Sequence, residues 1–226
     1  MRKAPLSTIQ GRHGGTLALR AVIFDYGRVL SGPPDPAAHA ALLRISSLSA
    51  DRLDSLYWAG RPAYDTGSLN GQAYWRKLAH EAGLNLSPAA IEELSAWDAR
   101  MWTTENPAML AWQLVLKQRG LLTAIVSNMG DAVLDHMKRE FDWLSRFDVL
   151  VWSYQVGMAK PDPAIYRYFL EKLGTQPQET LFIDDKPVNV EAANALGIKG
   201  LVFTTVEKLR EDLIASRLDS ELPLPA

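Results

Sequence analysis

Short runs of buried-type residues that break off on a polar side chain recur along this chain, separated by segments of helical character, and this alternation is its most restrictive feature. Residues 19–24 stop at Asp25, residues 121–126 at Ser127-Asn128, and residues 180–183 at Asp184-Asp185. Residues 147–152 lead through a loop to Lys160, and residues 199–204 form a fifth run. Apolar runs without period-two alternation suit strands covered on both faces. Strands separated by helices require a parallel sheet with right-handed crossovers and helices on either side. The predicted architecture is therefore α/β, a Rossmann-like three-layer core built on a parallel sheet. Open sheets of this kind gather ligands beyond the carboxyl ends of their strands, where these polar groups fall.

One long interval breaks the alternation. After Leu30, the segment Ser31-Gly32-Pro33-Pro34-Asp35-Pro36 continues neither a helix nor a central strand. Four helical stretches follow with no strand between them, predicted at residues 37–46, 51–58, 71–82 and 88–102, with residues 60–65 read as a loop. The third carries an apolar stripe at Ala73, Tyr74, Leu78 and Ala82, and the fourth opens on Ser87-Pro88, a cap followed by a first-turn proline. Residues 31–105 are accordingly expected to form a small helical cap inserted into a core made of residues 19–30 and 106–217. Residues 1–18 are expected to form a loose extension, and residues 218–226 a Pro-containing tail. Five of the seven tryptophans lie between Trp58 and Trp112. Their expected role is to pack the small helical cap, with one of them a candidate for a substrate pocket.

Composition narrows the function. A formal net charge of -2 leaves no electrostatic footprint for nucleic acid or an anionic membrane. The chain has no cysteine, so disulfides, thiolate nucleophiles and zinc–thiolate sites are excluded. The basic residues near the start are not followed by the apolar stretch of a secretory signal, and no run is long enough to span a bilayer, so a cytoplasmic enzyme is expected. His13, His39, His80 and His136 show no metal-ligand spacing. Neither a Walker loop nor a G-x-S-x-G elbow is present.

Gathered at one sheet edge, the polar groups define a chemistry. Asp25, Asp184 and Asp185 would repel one another, and each would resist ionisation unless a cation lay between them. A hard divalent ion suits an all-oxygen set, and magnesium commonly combines one or two carboxylates with a substrate phosphate. Lys160 and Ser127 supply the donors that a phosphate needs. Asp25 would then act as nucleophile in phosphoryl transfer, through an aspartyl-phosphate. The expected cofactor is Mg2+ and the expected partner a small phosphorylated molecule. Arg61, with Tyr64, is a candidate to grip substrate from the helical cap; the alternative is a surface salt bridge. Asp184 divides between metal contact and a role in capping the next helix or binding Lys160. Tyr166 is expected in the core.

Four motifs in this order, Phe24-Asp25-Tyr26-Gly27-Arg28-Val29-Leu30, Val126-Ser127-Asn128, Lys160-Pro161-Asp162-Pro163 and Phe182-Ile183-Asp184-Asp185 through Asn189, resemble those of the haloacid dehalogenase superfamily of hydrolases over residues 21–204. The resemblance implies a cap that closes over the site and selects substrates. It also implies Asp25 as nucleophile and magnesium ligand, the Gly27 carbonyl as a second ligand, and Asp185 as a third, with Asp184 or Asn189 in support. Ser127, Asn128 and Lys160 would hold the transferring phosphoryl group.

One position departs from the pattern. Phosphatases of the superfamily usually carry a second Asp two residues after the nucleophile, as general acid and base, and here that residue is Gly27. A missing general acid forfeits roughly 100- to 10,000-fold in rate. Three consequences stay open: restriction to good leaving groups, replacement by Tyr26, Arg28 or a cap side chain, or loss of phosphatase activity. The Asp-Tyr-Gly-Arg-Val-Leu form is similar to a subgroup of bacterial sugar-phosphate phosphatases and to the N-terminal phosphatase-like domains of epoxide hydrolases. The 2-haloacid dehalogenases also lack the second Asp, but their fourth motif is typically Ser-Ser-Asn, so Asp184-Asp185 favours metal-dependent phosphate chemistry. The leading expectation is a magnesium-dependent phosphatase of small, sugar-type phosphomonoesters. A 2-haloacid dehalogenase using Asp25 on carbon and a non-catalytic binding protein on the same fold stand as alternatives.

Overall fold

Five strands, β1 (Ala21–Phe24), β2 (Leu122–Ser127), β3 (Val149–Trp152), β4 (Thr180–Asp184) and β5 (Lys199–Val202), pair in parallel in the order β3-β2-β1-β4-β5. They belong to a computed structural model that describes residues 18–226. The extension expected at residues 1–18 lies outside the described residues but for its last position. Phe24 sits opposite Ile125 on one side and Ile183 on the other, so the chain delivers Asp25, Ser127 and Asp184 to one edge of the sheet. Every residue of β1 is fully buried. The pleat sends Val22 and Phe24 to one face and Ala21 and Ile23 to the other, and each face has its own apolar cluster. The three-layer α/β core expected from the sequence is the one observed.

Helices α1 (Pro36–Ser46), α2 (Ala50–Asp65), α3 (Gly71–Glu81) and α4 (Pro88–Met101) lie between β1 and β2 in the chain, followed by α5 (Pro107–Gln118). After β2 come α6 (Asp131–Glu140), α7 (Ser153–Val156), α8 (Pro163–Leu173), α9 (Pro187–Ala195) and α10 (Val206–Ala215). Each of α1–α4 starts on an Asp, Ser or Asn whose side chain accepts a first-turn N–H: Asp35, Ser49, Asn70 and Ser87. Their inward faces share a third apolar cluster, with Trp75, Tyr74 and Leu94 at its centre.

The structure corrects the sequence reading in two places. Residues 60–65, expected as a loop, continue α2 to Asp65. Pro62 forfeits one backbone hydrogen bond there. The helix persists because Tyr57, Arg61 and Tyr64, spaced i, i+4 and i+7, are all buried on one face. Gly60 permits this packing, since a Cβ there would lie 2.8 Å from the Tyr74 ring. The segment after α10 is also more than a tail: Leu218 and Leu222 are buried in the core, and the Trp112 indole N–H donates to the Pro223 carbonyl at 2.7 Å.

Two seams hold the α1–α4 layer to the core. At the chain crossings Gly32 N–H donates to the Thr104 carbonyl (3.0 Å), beside a bridge between Ser31 and Glu105. On the α6 side, Gly71 N–H donates to Asp131 Oδ1 (2.9 Å), Ser153 Oγ donates to the Asp65 carbonyl, and the Tyr64 ring lies flat against Gly130. A Cβ on Gly130 would fall 2.0 Å from that ring, so something must move. Overpacking of this kind costs about 1–3 kcal/mol. Gly130→Ala should lower Tm by several degrees in a thermal melt, whereas an unchanged Tm would mean that the seam is loose.

Candidate active site

The most buried basic side chain among the described residues, Lys160, is also closely partnered. Lys160 Nζ donates to Asp25 Oδ1 (2.9 Å), Asp184 Oδ2 (2.6 Å) and the Val126 carbonyl (2.8 Å), which uses all three N–H bonds of an ammonium. Burial alone would lower its pKa, but the carboxylates of Asp184 and Asp25 carry it above the usual lysine value. Its backbone is fixed by Asn128, whose side-chain oxygen accepts Lys160 N–H and whose amide donates to the Lys160 carbonyl, both at 2.8 Å. The amide of Asn128 is thus spent on positioning Lys160.

Asp25 leaves β1 with Oδ1 accepting the Tyr26 N–H at 2.7 Å, and the Ser127 hydroxyl also hydrogen-bonds to it. Burial pushes its pKa up from 3.8 to about 6, against the pull of Lys160 and with a further push from Asp184. Asp184 is fully buried, and both of its oxygens are engaged. Oδ1 accepts the Lys186 N–H and the Asn189 amide, and Oδ2 accepts Lys160 and the same amide. Asp185 is half-exposed, and burial followed by the Asp184 charge raises its pKa. One oxygen from each of Asp25, Asp184 and Asp185 lies within 4.8 Å of the others. Three crowded carboxylates around a single ammonium leave excess negative charge on an all-oxygen donor set, and such a set fits a hard divalent cation such as Mg2+.

Gly27 has φ -60 and ψ 122, which any L-residue adopts, and a Cβ built on it would meet only Asp25 Oδ2, at 3.9 Å. The backbone therefore does not demand glycine. Tyr26, one candidate for the missing acid, is 2% exposed and its hydroxyl donates to the Trp102 carbonyl at 2.7 Å. Burial raises its pKa, and nearby Glu105 adds to the rise, so it holds its proton away from the site. Arg28 occupies the left-handed region (φ 60) and lines the cleft.

Above Asp25 the sheet edge and the α1–α4 layer enclose a cleft of about 270 Å³. Asp25, Gly27, Ser127, Asn128, Lys160 and Asp185 line its floor, all of them expected at the site, and Arg61 lines its roof. Arg61 is 7% exposed and paired with Asp65 at 2.8 Å, so the surface salt bridge considered for it is instead an internal one. Trp58, Asp65, Trp102 and Lys186 also line the cleft; the sequence names none of them individually as a site residue, although one of the tryptophans between Trp58 and Trp112 is a candidate for a pocket. Trp58 is half-exposed, with Lys186 Nζ 5.8 Å from its ring centroid. The position of Lys186 directly after the Asp184-Asp185 motif was a usable signal, but nothing in the sequence distinguishes Trp58 and Trp102 from their packed neighbours. Tyr166 is in the core as expected, its hydroxyl donating to the Asn189 carbonyl.

This arrangement of motifs has clear relatives. The sequence model of the haloacid dehalogenase-like hydrolase family matches residues 98–197. A sesquiterpene phosphatase of Aspergillus oryzae is 38% identical over 193 residues, covering 82% of this chain and 90% of its own. Bifunctional epoxide hydrolase 2 of Mus musculus is 31% identical over 228 residues, 92% of this chain but 41% of that protein. The chain therefore spans less than half the length of the first curated relatives it matches. Among solved structures, a family enzyme of Bacteroides thetaiotaomicron in complex with magnesium and inorganic phosphate shares the fold, with a TM-score of 0.68 at 21% identity over 82% of this chain and 94% of that one. The chain belongs to the haloacid dehalogenase-like hydrolases. No helix among the described residues is long and apolar enough to cross a membrane.

The raised pKa of Asp25 fixes the sign of a stability effect. A carboxyl whose folded-state pKa lies above its unfolded value contributes less to stability as pH rises through the interval between them, here about 3.8 to 6. Asp25→Asn removes that penalty. In thermal melts without added metal, the Tm of the variant minus that of the wild type should therefore be larger at pH 7 than at pH 4. A difference that shrinks over this range would show that Lys160 outweighs burial.

Proposed function

We propose that the chain is a magnesium-dependent phosphatase acting on small phosphomonoesters through an aspartyl-phosphate on Asp25. The observation that carries this reading is the carboxylate trio of Asp25, Asp184 and Asp185 around the buried Lys160. Asp25 and Asp185, with the Gly27 carbonyl, would hold the ion, and Asp184 would stand behind them as the anchor of Lys160. A bound Mg2+ would supply charge neutralisation for the phosphoryl oxygens. The names of a phosphatase relative and of a neighbour solved with magnesium and phosphate support the reading.

In this mechanism Asp25 attacks phosphorus as its carboxylate, and the bond from phosphorus to the leaving-group oxygen breaks. Ser127 and Lys160 donate to the phosphoryl oxygens; Lys160 must share one of its three hydrogen bonds to do so. Position 27 offers no proton, so the departing oxygen takes one from water. Water then cleaves the acyl phosphate, which releases inorganic phosphate and restores Asp25. The α1–α4 layer acts as the cap that shields these steps, and Arg61 faces the leaving group. A sugar-type leaving group fits the aromatic wall at Trp58 and Trp102, on which the flat face of a ring packs.

Phosphate release from p-nitrophenyl phosphate with Mg2+ tests the reading. Asp25→Asn should lose at least 1,000-fold, of the order seen when a nucleophile is removed, and EDTA should abolish the wild-type rate. Equal rates in the two proteins would refute the mechanism, and halide release from a 2-haloacid that persists in EDTA would replace it with dehalogenation. Gly27→Asp, which the open space above Asp25 accommodates, should speed hydrolysis of alkyl phosphates more than that of p-nitrophenyl phosphate, by up to about 100-fold. No gain on the poorer leaving group would mean that proton donation is not what position 27 lacks.

A further inference from the structure

Two cleft residues from different helices are held by a single buried oxygen. The Tyr57 hydroxyl accepts from Arg61 Nη1 at 2.7 Å and from Trp102 Nε1 at 2.9 Å, and donates to Asp98 Oδ1 at 2.6 Å. A hydroxyl has one proton and two lone pairs, so its capacity is full. The directions are forced, because a guanidinium and an indole N–H can only donate. The proton of Tyr57 must therefore go to Asp98, which has no exposed surface and sits among Tyr57, Arg61 and Trp75. Neither Tyr57 nor Asp98 lines the cleft, whereas Arg61 and Trp102 both do. Asp65 holds the far side of the guanidinium at 2.8 Å, and the Arg61 Nε–H has no partner.

We propose that Tyr57, oriented by Asp98, is a positioning residue that sets the specificity of this site. It fixes the Arg61 guanidinium and the Trp102 indole as one rigid unit in the cleft wall. That unit selects phosphomonoesters whose leaving group carries a flat ring to lie against Trp102 and an acceptor oxygen to meet Arg61. An immobilised ring and donor avoid the ordering cost that a mobile wall would charge against each ligand. The inference takes from the phosphatase reading the identity of the head group alone.

Calorimetric dissociation constants for 4-nitrophenylphosphonate and for inorganic phosphate, both with Mg2+, test it in the wild type, Tyr57→Phe and Ile91→Ala. The wild type should prefer the aryl compound at least tenfold. Tyr57→Phe should lose that preference while still binding phosphate, and its loss on p-nitrophenyl phosphate should fall on KM rather than kcat. Ile91→Ala opens a cavity in the same apolar cluster, seven residues along α4 from Asp98, so it should lower Tm and keep the preference. A wild type without the preference overturns the inference, as does a Tyr57→Phe protein that keeps it or an Ile91→Ala protein that loses it equally. A wild type that shows the preference and hydrolyses no phosphate ester would sink the phosphatase reading and support this one.

Discussion

The architecture of the site depends on one ammonium group that has been taken out of water and repaid in full. Lys160 is 5% exposed, and its three protons go to Asp25, Asp184 and a β2 carbonyl. Removing one member of such a buried set leaves an uncompensated charge, at a cost of about 3–5 kcal/mol. That penalty is why the surroundings are so constrained. Asn128 grips the Lys160 backbone at both its N–H and its carbonyl, and Asn189 bridges the two oxygens of Asp184. The strand ends supply the rigid frame, because β2, β1 and β4 are adjacent and in register. The excess of carboxylates over cations at this point follows from the same layout, and it is the feature on which the proposed metal site rests.

Much of this was legible in the chain. Asp25, Ser127, Lys160, Asp184 and Asp185 each follow a buried run or open a helix, so their convergence needs only the topology rule for parallel sheets. What stayed hidden depends on packing between helices. The Tyr57 hydroxyl joins residues 57, 61, 98 and 102, two of them on α2 and two at or just past the end of α4, and no periodicity along either helix announces that oxygen. The extension of α2 past Pro62 was missed for a related reason: local propensity argues for a break, and the buried stripe of Tyr57, Arg61 and Tyr64 outweighs it. Tyr26 shows the reverse case. Next to the nucleophile in sequence, it is a plausible acid, yet its proton is committed to a carbonyl 76 residues away.

Gly27 separates two meanings of glycine. At Gly157 and Gly174 a positive φ explains the residue without reference to chemistry. Position 27 has an ordinary backbone and vacant space above it. The fold is indifferent to the missing side chain there, which in the proposed mechanism bears on the leaving group.

The cation–π contact between Lys186 and Trp58 joins α2 to the loop that follows β4 on one side of the cleft. Elsewhere the α1–α4 layer is joined to the core by the Gly71 N–H on the Asp131 carboxylate, by the Ser153 hydroxyl on the Asp65 carbonyl and by the ring of Tyr64 against Gly130. Beside the cleft, a lysine lies over the half-exposed Trp58 indole, a contact worth about 0.5–1 kcal/mol at an exposed position. A contact of that size is weaker than a buried hydrogen-bonded seam and more open to solvent, so the Trp58 side of the cleft is held less firmly than the side at Gly71 and Ser153.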